Sequence, residues 1–519
     1  MTGFKQHLAQ RPLLFTLMFA LGCSIVITGL ATRGSFDLFQ PGFLWKAYNH
    51  YLLSILDGRL DVPIFAIGKE GNLIDGKAYM YYGLLPVLPR VFLYPFVDLA
   101  QVPAAYFSIL FFTFLGNVVL QYTLIKQYIA HQCRASLALL LMLSLVIWFG
   151  SAAFIISQNA TIYHEPYAAS LCLASIFLAL MLRQNFFIGE YRKVSLLPFA
   201  ILAGLCVHAR MPSALALYLV TGLLILVQTF RALSSSGANK GAVNVLFQSI
   251  IIFWKEIVVL GLFGVSILWL NHARYGDMLN FMGINYGFMF FEGFSERVCS
   301  VLPRSELYKL FRVFVNGYVY LTGDWQSHWS LVRLLSTGYG RLEGPFLPLG
   351  LLWTLPIVSL IVVVWTQIKA IKKPVSQITL LFLLAFSAGA IFQLTYPTIS
   401  HRYVVSLWLP LFACLMFCWN AYITQSTSIN LKQLDGNKYL IGVVILGVGS
   451  ISYQLYQATI NPYYLEDGPV TNVMTGSPNF HYSDEDNAYM ESMTPLKIET
   501  FFAERAKNKI AACEKFKED

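Results

Sequence analysis

Eleven apolar stretches constrain this chain more than any other feature of its sequence. They run over 13–31, 104–125, 135–156, 166–183, 194–209, 213–230, 257–271, 346–367, 377–397, 403–424 and 439–458. A helix needs ~20 apolar residues to cross the hydrocarbon core of a bilayer, and most of these stretches come close, with 194–209 and 257–271 the shortest. Inside lipid every backbone polar group must be satisfied within the structure. The fold class expected is therefore an all-α polytopic membrane protein with about eleven transmembrane helices. Composition agrees: 57% of the 519 residues are hydrophobic and 12% are charged, against about a quarter charged in soluble domains. The net charge of +9 would suggest nucleic acid in a soluble protein. Here the basic residues sit in short connections between apolar runs, which is the positive-inside pattern, and no nucleic-acid partner is implied.

The same residues orient the chain. Lys5 and Arg11 precede the first stretch, and Lys126 and Arg134 follow the second. Arg183, Arg192 and Lys193 separate the fourth and fifth, and Arg231, Lys240 and Lys255 follow the sixth. Lys369, Lys372 and Lys373 follow the eighth, and Lys432 and Lys438 the tenth. Every second connection is basic, which places the N-terminus in the cytoplasm. The first stretch has only a weak cleavage site at Thr28-Gly29-Leu30-Ala31 and reads as a retained signal anchor. The domain organisation expected is a membrane domain over 1–458 with external loops 32–103 and 272–345, and an external tail over 459–519.

Long loops in compact proteins are functional or disordered, and neither external loop has a disordered composition. In the first, Leu44, Tyr48, Tyr51, Leu52 and Ile55 recur at helical spacing opposite Lys46, Asn49, His50 and Asp57, the pattern of an amphipathic helix lying in the interface. In the tail, Thr494-Pro495 opens a helix with Ile498, Phe501, Phe502, Ala506, Ile510 and Cys513 on one face. The absence of a repeat in span lengths counts mildly against a transporter.

The residues that carry chemistry are those a membrane span disfavours. Arg210 and Arg402 sit in very short external connections, and Arg274 closes the seventh stretch. A lone arginine there could snorkel to headgroups, but three at one level form a clamp for phosphate, which guanidinium binds in a bidentate manner. Asp37, Asp57, Asp61, Glu70 and Asp75 follow the first stretch, and Tyr163-His164-Glu165 lies in a short external connection. A carboxylate among these could act as general base on an acceptor hydroxyl, although most loop carboxylates are simply solvated and Glu165 would also favour a helix N-terminus. His50, His164, His208 and His401 fall at the external rim and could ligate a divalent metal with Glu165, but the spacing specifies no metal site. Among the eight cysteines, Cys414 and Cys418 read as apolar packing. Cys299 and Cys513 lie outside and could pair in an oxidising compartment.

The segment Asp75-Gly-Lys-Ala-Tyr79-Met-Tyr-Tyr-Gly-Leu-Leu-Pro86-Val-Leu-Pro89, followed by Tyr94-Pro95-Phe96, resembles the first external loop of bacterial GT-C-type membrane glycosyltransferases. Gly58-Arg-Leu-Asp61, Tyr163-His164-Glu165, Asn271-His-Ala-Arg274-Tyr-Gly276, the Gly283 to Tyr286 stretch and Arg402-Tyr403 are similar to patterns of that group. These patches are scattered over residues 1 to 410 and cover a small part of them. The resemblance implies a GT-C-like helical bundle with interfacial helices in the external loops, a polyprenyl-phosphate sugar as donor substrate, and an acidic catalytic base early in the first loop. Carried over, Asp37 is the base and Glu165 a second acidic contributor. From the residues themselves, Arg210, Arg274 and Arg402 are the expected phosphate clamp, and His50, Asp75, Tyr82, His164 and His401 are candidate substrate contacts. The chain departs from the pattern in two places: Phe36 and Leu38 flank Asp37 where paired acidic residues are common, and Ser406 stands where an acidic residue follows the Arg-Tyr pair.

The function expected is transfer of a sugar to an envelope glycan, lipid or protein acceptor outside a bacterial inner membrane, with the tail in the periplasm. The rival readings are a lipid-linked sugar transporter or flippase and a non-catalytic scaffold of envelope assembly.

Overall fold

The computed structural model describes residues 7–42, 44–67, 70–74, 77–131, 137–158, 160–186, 195–235, 241–279, 310, 312–322, 342–343, 361, 377–396, 399–400, 403–425, 449 and 452. The stretches 346–367 and 439–458, most of the loop 272–345, the tail and Cys299 with Cys513 lie outside the described residues.

The described chain is mostly helical. Among the described residues seven helical segments are long and apolar enough to cross a membrane: α1 (Pro12–Ala31), α4 (Ala105–Ala130), the broken pair α5 (Leu137–Trp148) and α6 (Ala152–Ser157) taken as one, α7 (His164–Arg183), α9 (Met211–Ser235), α11 (Trp254–Tyr275) and α14 (Val404–Gln425). Shorter helices are α2 (Lys46–Leu56), α3 (Leu88–Leu93), α8 (Leu197–Val207), α10 (Ala242–Ile252), α12 (Arg312–Thr322) and α13 (Gln377–Leu394). The stretch expected as one span over 135–156 breaks at Gly150-Ser151, where the Ser151 hydroxyl accepts from Ala153 N at 3.2 Å and caps a new helix. The connection after α9, expected as a plain basic loop, contains α10. Its Ser249 hydroxyl donates to Thr229 Oγ1 at 2.9 Å while Val243, Leu246, Phe247 and Ile250 stay exposed.

Packing follows from residue size and period. On α1 the buried positions are Thr16, Ala20, Cys23, Ile27 and Ala31, a stripe of mostly small residues at helical spacing. Leu13, Leu17, Met18, Leu21 and Ile25 remain exposed, as a lipid-facing side requires. Helix α4 packs closely along α7, where a Cβ on Gly116 would lie 2.8 Å from Cys172 Cα. Buried amides tie the apolar body together: Trp148 Nε1 donates to Gln121 Oε1 and Trp419 Nε1 to Gln127 Oε1, each at 3.0 Å. Gln127 Nε2 donates to Leu182 O at 2.8 Å. Cys414 and Cys418 are free thiols in this body.

The loop 32–103 adds a small sheet to the mostly helical chain. A three-stranded antiparallel sheet in the order β1-β3-β2 is built from β1 (Asp61–Val62), β2 (Asn72–Ile74) and β3 (Lys77–Tyr79). Strands β2 and β3 pair antiparallel, with Ile74 opposite Lys77. Helix α2 forms over the expected residues, but its apolar face does not meet lipid. Tyr48, Tyr51 and Leu52 pack with Val62, Ile67, Ala78, Met80, Tyr82 and Leu99 in a separate small core. The sheet and α3 supply the apolar surface that the interfacial reading had assigned to the bilayer. Helix α3 does turn apolar residues outward, with Leu88, Val91 and Phe92 exposed, followed by Tyr94 and Phe96.

Candidate functional site

Four helix ends meet under this folded loop: the start of α4, the start of α7, the turn between α8 and α9, and the end of α11. Local sequence sets each one. Helix α8 ends at Val207, and Arg210 N donates back to Cys206 O at 2.9 Å before Pro212 opens α9. This places Arg210 at the turn. Gly276, at φ 69°, closes α11 by donating to His272 O at 2.8 Å. A left-handed residue is what such a cap requires, and it leaves Arg274 and Tyr275 on the last turn facing the loop. Thr161 Oγ1 lies 2.7 Å from His164 Nδ1 and accepts from His164 N at 3.3 Å, fixing the start of α7.

The loop is held to these ends by backbone as well as side chains. Leu85 N donates to His208 O at 2.9 Å, and a Cβ on Gly83 would sit 2.0 Å from that same carbonyl oxygen. Only glycine permits this approach. Tyr275 Oη donates to Met80 O at 2.9 Å and Asn72 Nδ2 to Tyr275 Oη at 3.4 Å.

Glu165 is fully buried and its two carboxylate oxygens take a bidentate pair from Arg90, with Nη1 to Oε2 at 2.5 Å and Nη2 to Oε1 at 3.0 Å. Arg90, also fully buried, donates through Nε to Asn49 Oδ1 at 2.6 Å and through Nη1 to Pro86 O at 2.9 Å. Asn49, expected on a polar face of α2, is buried and donates to Leu99 O and Val102 O at 2.9 and 2.8 Å. The charge expected as an acid-base contributor is thus engaged by a guanidinium. The sequence reading missed Arg90, one of several basic residues in a loop of mixed charge, so nothing local set it apart.

Arg210 and Arg274 are different. Arg210 donates from Nη2 to the Tyr167 hydroxyl and stacks on that ring, with Cζ 4.1 Å from its centroid. Arg274, 2% exposed, donates from Nη2 to the Tyr51 hydroxyl and lies 5.3 Å from the Tyr51 ring centroid. Neither has a carboxylate partner among the described residues, and each Nε is buried without a hydrogen-bond acceptor there. The buried Tyr48 hydroxyl also has no hydrogen-bond partner among the described residues, and the charges of Glu165, Arg90, Arg210 and Arg274 all act on it. Burial first, then the Glu165 charge, hold that phenol well above its ordinary range, so it stays a donor. His208 Nε2 lies 2.8 Å from Ser266 Oγ. Burial and the nearby Arg274 charge lower its pKa from the ordinary 6.5.

A second cluster adjoins Arg210. Glu70, 6% exposed, accepts at Oε2 from Tyr81 Oη at 3.3 Å and Tyr82 Oη at 3.4 Å, and the two phenol oxygens are 2.6 Å apart. Tyr82 meets the Tyr163 ring edge-on at 6.1 Å.

The other expected site residues fall elsewhere. Asp37 is exposed, after Phe36 at φ 56°, and its Oδ1 accepts from Phe39 N at 2.8 Å in a local turn. No hydrogen bond or ion pair joins it to Glu165, Arg210 or Arg274. His50 packs edge-on against Phe65 at 5.0 Å. Burial and Lys46 lower its pKa from the ordinary 6.5. His164 is bound up in the α7 start, and Tyr82 in the Glu70 cluster. Asp75, His401 and Arg402 lie outside the described residues. Among the described residues no group of three His, Cys, Asp or Glu side chains is placed to hold a metal ion.

No protein-family model and no curated protein matches the sequence. Among solved structures the chain is similar to the Archaeoglobus fulgidus oligosaccharyltransferase in its apo form, at 13% identity and a TM-score of 0.46 over 92% of this chain and 60% of that one. It is similar to AglB of the same organism in complex with an inhibitory peptide and a dolichol-phosphate, at 13% identity and a TM-score of 0.45 over 93% and 60% of the two chains. It is also similar to ArnT from Cupriavidus metallidurans bound to undecaprenyl phosphate, at 12% identity and a TM-score of 0.42 over 98% and 72%. This chain therefore spans about 60% of the length of the archaeal enzymes.

Proposed function

We propose that this protein transfers a sugar from a polyprenyl-phosphate donor to a glycan, lipid or protein acceptor on the non-cytoplasmic side of a bacterial inner membrane. One observation carries the reading: Arg210 and Arg274, at the ends of two membrane helices, have no carboxylate counter-ion among the described residues. A buried guanidinium without a counter-ion is costly, and one whose Nε is buried without an acceptor suits a bidentate oxyanion. In this reading a lipid phosphate arriving at the level of the helix ends is held by both arginines. Arg402 is the third member of the clamp in this reading.

In the step proposed, the acceptor oxygen bonds to the anomeric carbon as that carbon's bond to the phosphate oxygen breaks. The polyprenyl phosphate leaves with the electron pair, its developing charge met by the arginines. The acceptor proton passes to Asp37. Glu165 acts as a positioning residue, through Arg90, by holding the loop on the helix ends.

Two kinds of variant test this. Arg210→Ala and Arg274→Ala should each weaken binding of farnesyl phosphate to the full-length protein in lipid nanodiscs by about tenfold or more, the size expected for a charged hydrogen bond of ~1.5–3 kcal/mol. Asp37→Asn should abolish transfer and leave that binding intact, because asparagine also supports the turn at 37–39. Unchanged binding in both arginine variants would remove the phosphate site, and transfer at the wild-type rate by the Asp37→Asn variant would remove the base.

A further inference from the structure

The Glu70, Tyr81 and Tyr82 cluster is used neither by the phosphate clamp nor by the Arg90–Glu165 pair, and its construction is that of a hydroxyl-binding site. Three oxygens lie together: the phenols 2.6 Å apart, and both within 3.4 Å of one carboxylate oxygen. Two phenol protons cannot satisfy each other and the carboxylate fully, so acceptor capacity is left over at Glu70. The aromatic faces are close packed, with the Tyr81 and Tyr82 centroids 4.0 Å apart and Tyr163 edge-on to Tyr82. Tyr82 also lies 6.3 Å from the ring of Tyr48, the buried phenol on which the arginine charges act. Tyr81 is half-buried, so the cluster has an accessible side. Its hydroxyl is within electrostatic reach of Arg210, and burial with the Glu70 charge keeps it protonated.

Position then decides what the cluster meets. In a lipid phosphate sugar the sugar ring is bonded directly to the phosphate. With the phosphate on Arg210, the next group along the ligand is the sugar. We propose that Glu70, Tyr81 and Tyr82 recognise the donor's sugar through its hydroxyls, and that this sugar is neutral or cationic, not a uronic acid. The inference rests on the phosphate reading above. A carboxylate-bearing sugar would set like charges together where water is scarce, whereas neutral hydroxyls supply further donors to Glu70. Sites built to hydrogen-bond a hydroxyl discriminate strongly against ligands that cannot answer them.

The test uses the full chain in nanodiscs and equilibrium binding of five compounds: farnesyl phosphate, and its phosphodiesters with glucose, mannose, N-acetylglucosamine and glucuronate. The tightest neutral phosphodiester should bind the wild type at least tenfold better than the glucuronate compound. Glu70→Gln should weaken that neutral compound about tenfold, narrow its gap to glucuronate, and leave farnesyl phosphate within twofold. Tyr81→Phe should show the same selectivity of loss, and stands in if the Glu70→Gln variant does not fold. Equal loss for all five compounds would show a structural role, and no loss for the neutral sugars would show no contact. Either result overturns the inference alone. A wild type that does not bind farnesyl phosphate at all would overturn the phosphate site and this inference with it.

Discussion

His208 shows how a single side chain is conditioned by where the fold puts it. Its carbonyl receives Leu85 N at 2.9 Å, its Nε2 lies 2.8 Å from Ser266 Oγ, and its Nδ1 is buried without a partner among the described residues. Burial and Arg274 lower its pKa below the ordinary 6.5. Between that ordinary value and the lower folded one, the unfolded chain binds a proton that the folded chain refuses. Stability from the neutral ring is therefore present above about 6.5 and lost as pH falls toward the folded pKa. Thermal unfolding in nanodiscs should show a lower midpoint at pH 5.5 than at 7.5, and His208→Gln should make that fall shallower. A fall of unchanged size in the variant would refute the assignment. Arg210 and Arg274 make the contrasting case, since they stay charged at any pH the protein meets.

Among elements, the joint of α2, α3 and α7 is the one whose energetics can be read most directly. Arg90 from α3, Glu165 from α7 and Asn49 from α2 meet in a fully buried network. Removing one member of a buried ion pair leaves an uncompensated charge and costs about 3–5 kcal/mol, whereas an apolar pair of similar volume can be nearly neutral. Glu165→Ala alone should thus destabilise the protein by about that amount, measured by chemical or thermal unfolding. Arg90→Met combined with Glu165→Leu should recover much of the loss. If the double variant is as unstable as the sum of the single ones, the pair is not coupled as the geometry requires. The loop backbone is fixed at a second place, where Gly83 passes close to His208 O in the turn between α8 and α9.

For the whole molecule, the site collects the beginnings of α4, α7 and α9 and the end of α11 on one side, so Ala130, Arg183 and Ser235 mark the other. The basic connections expected in the cytoplasm follow those latter ends, and the folded loop with its exposed Asp57, at 67% side-chain exposure, lies on the site side. In a cysteine-free background, Asp57→Cys should react with a membrane-impermeant maleimide in intact cells. Ser234→Cys, exposed at the end of α9, should react only after permeabilisation. The reverse pattern would invert the orientation and, with it, the compartment of the proposed chemistry.

The sequence alone determined the elements whose signal is local. Long apolar runs named seven helices long and apolar enough to cross a membrane among the described residues, tyrosines at helical spacing named α2, and the arginines at helix ends stood out because lipid disfavours them. It did not reveal that Glu165 is held by Arg90, that Asn49 is buried, or that Asp37 stands apart in an exposed turn. Nor did it show that Glu70 shares a carboxylate oxygen's surroundings with Tyr81 and Tyr82. Periodicity reports which face of an element is apolar but not what covers it, and a charge in a loop carries no mark of its partner 75 residues away. Those pairings were decided only when the loop folded over the helix ends, where desolvation made each buried charge either find a counter-ion or remain available to a ligand.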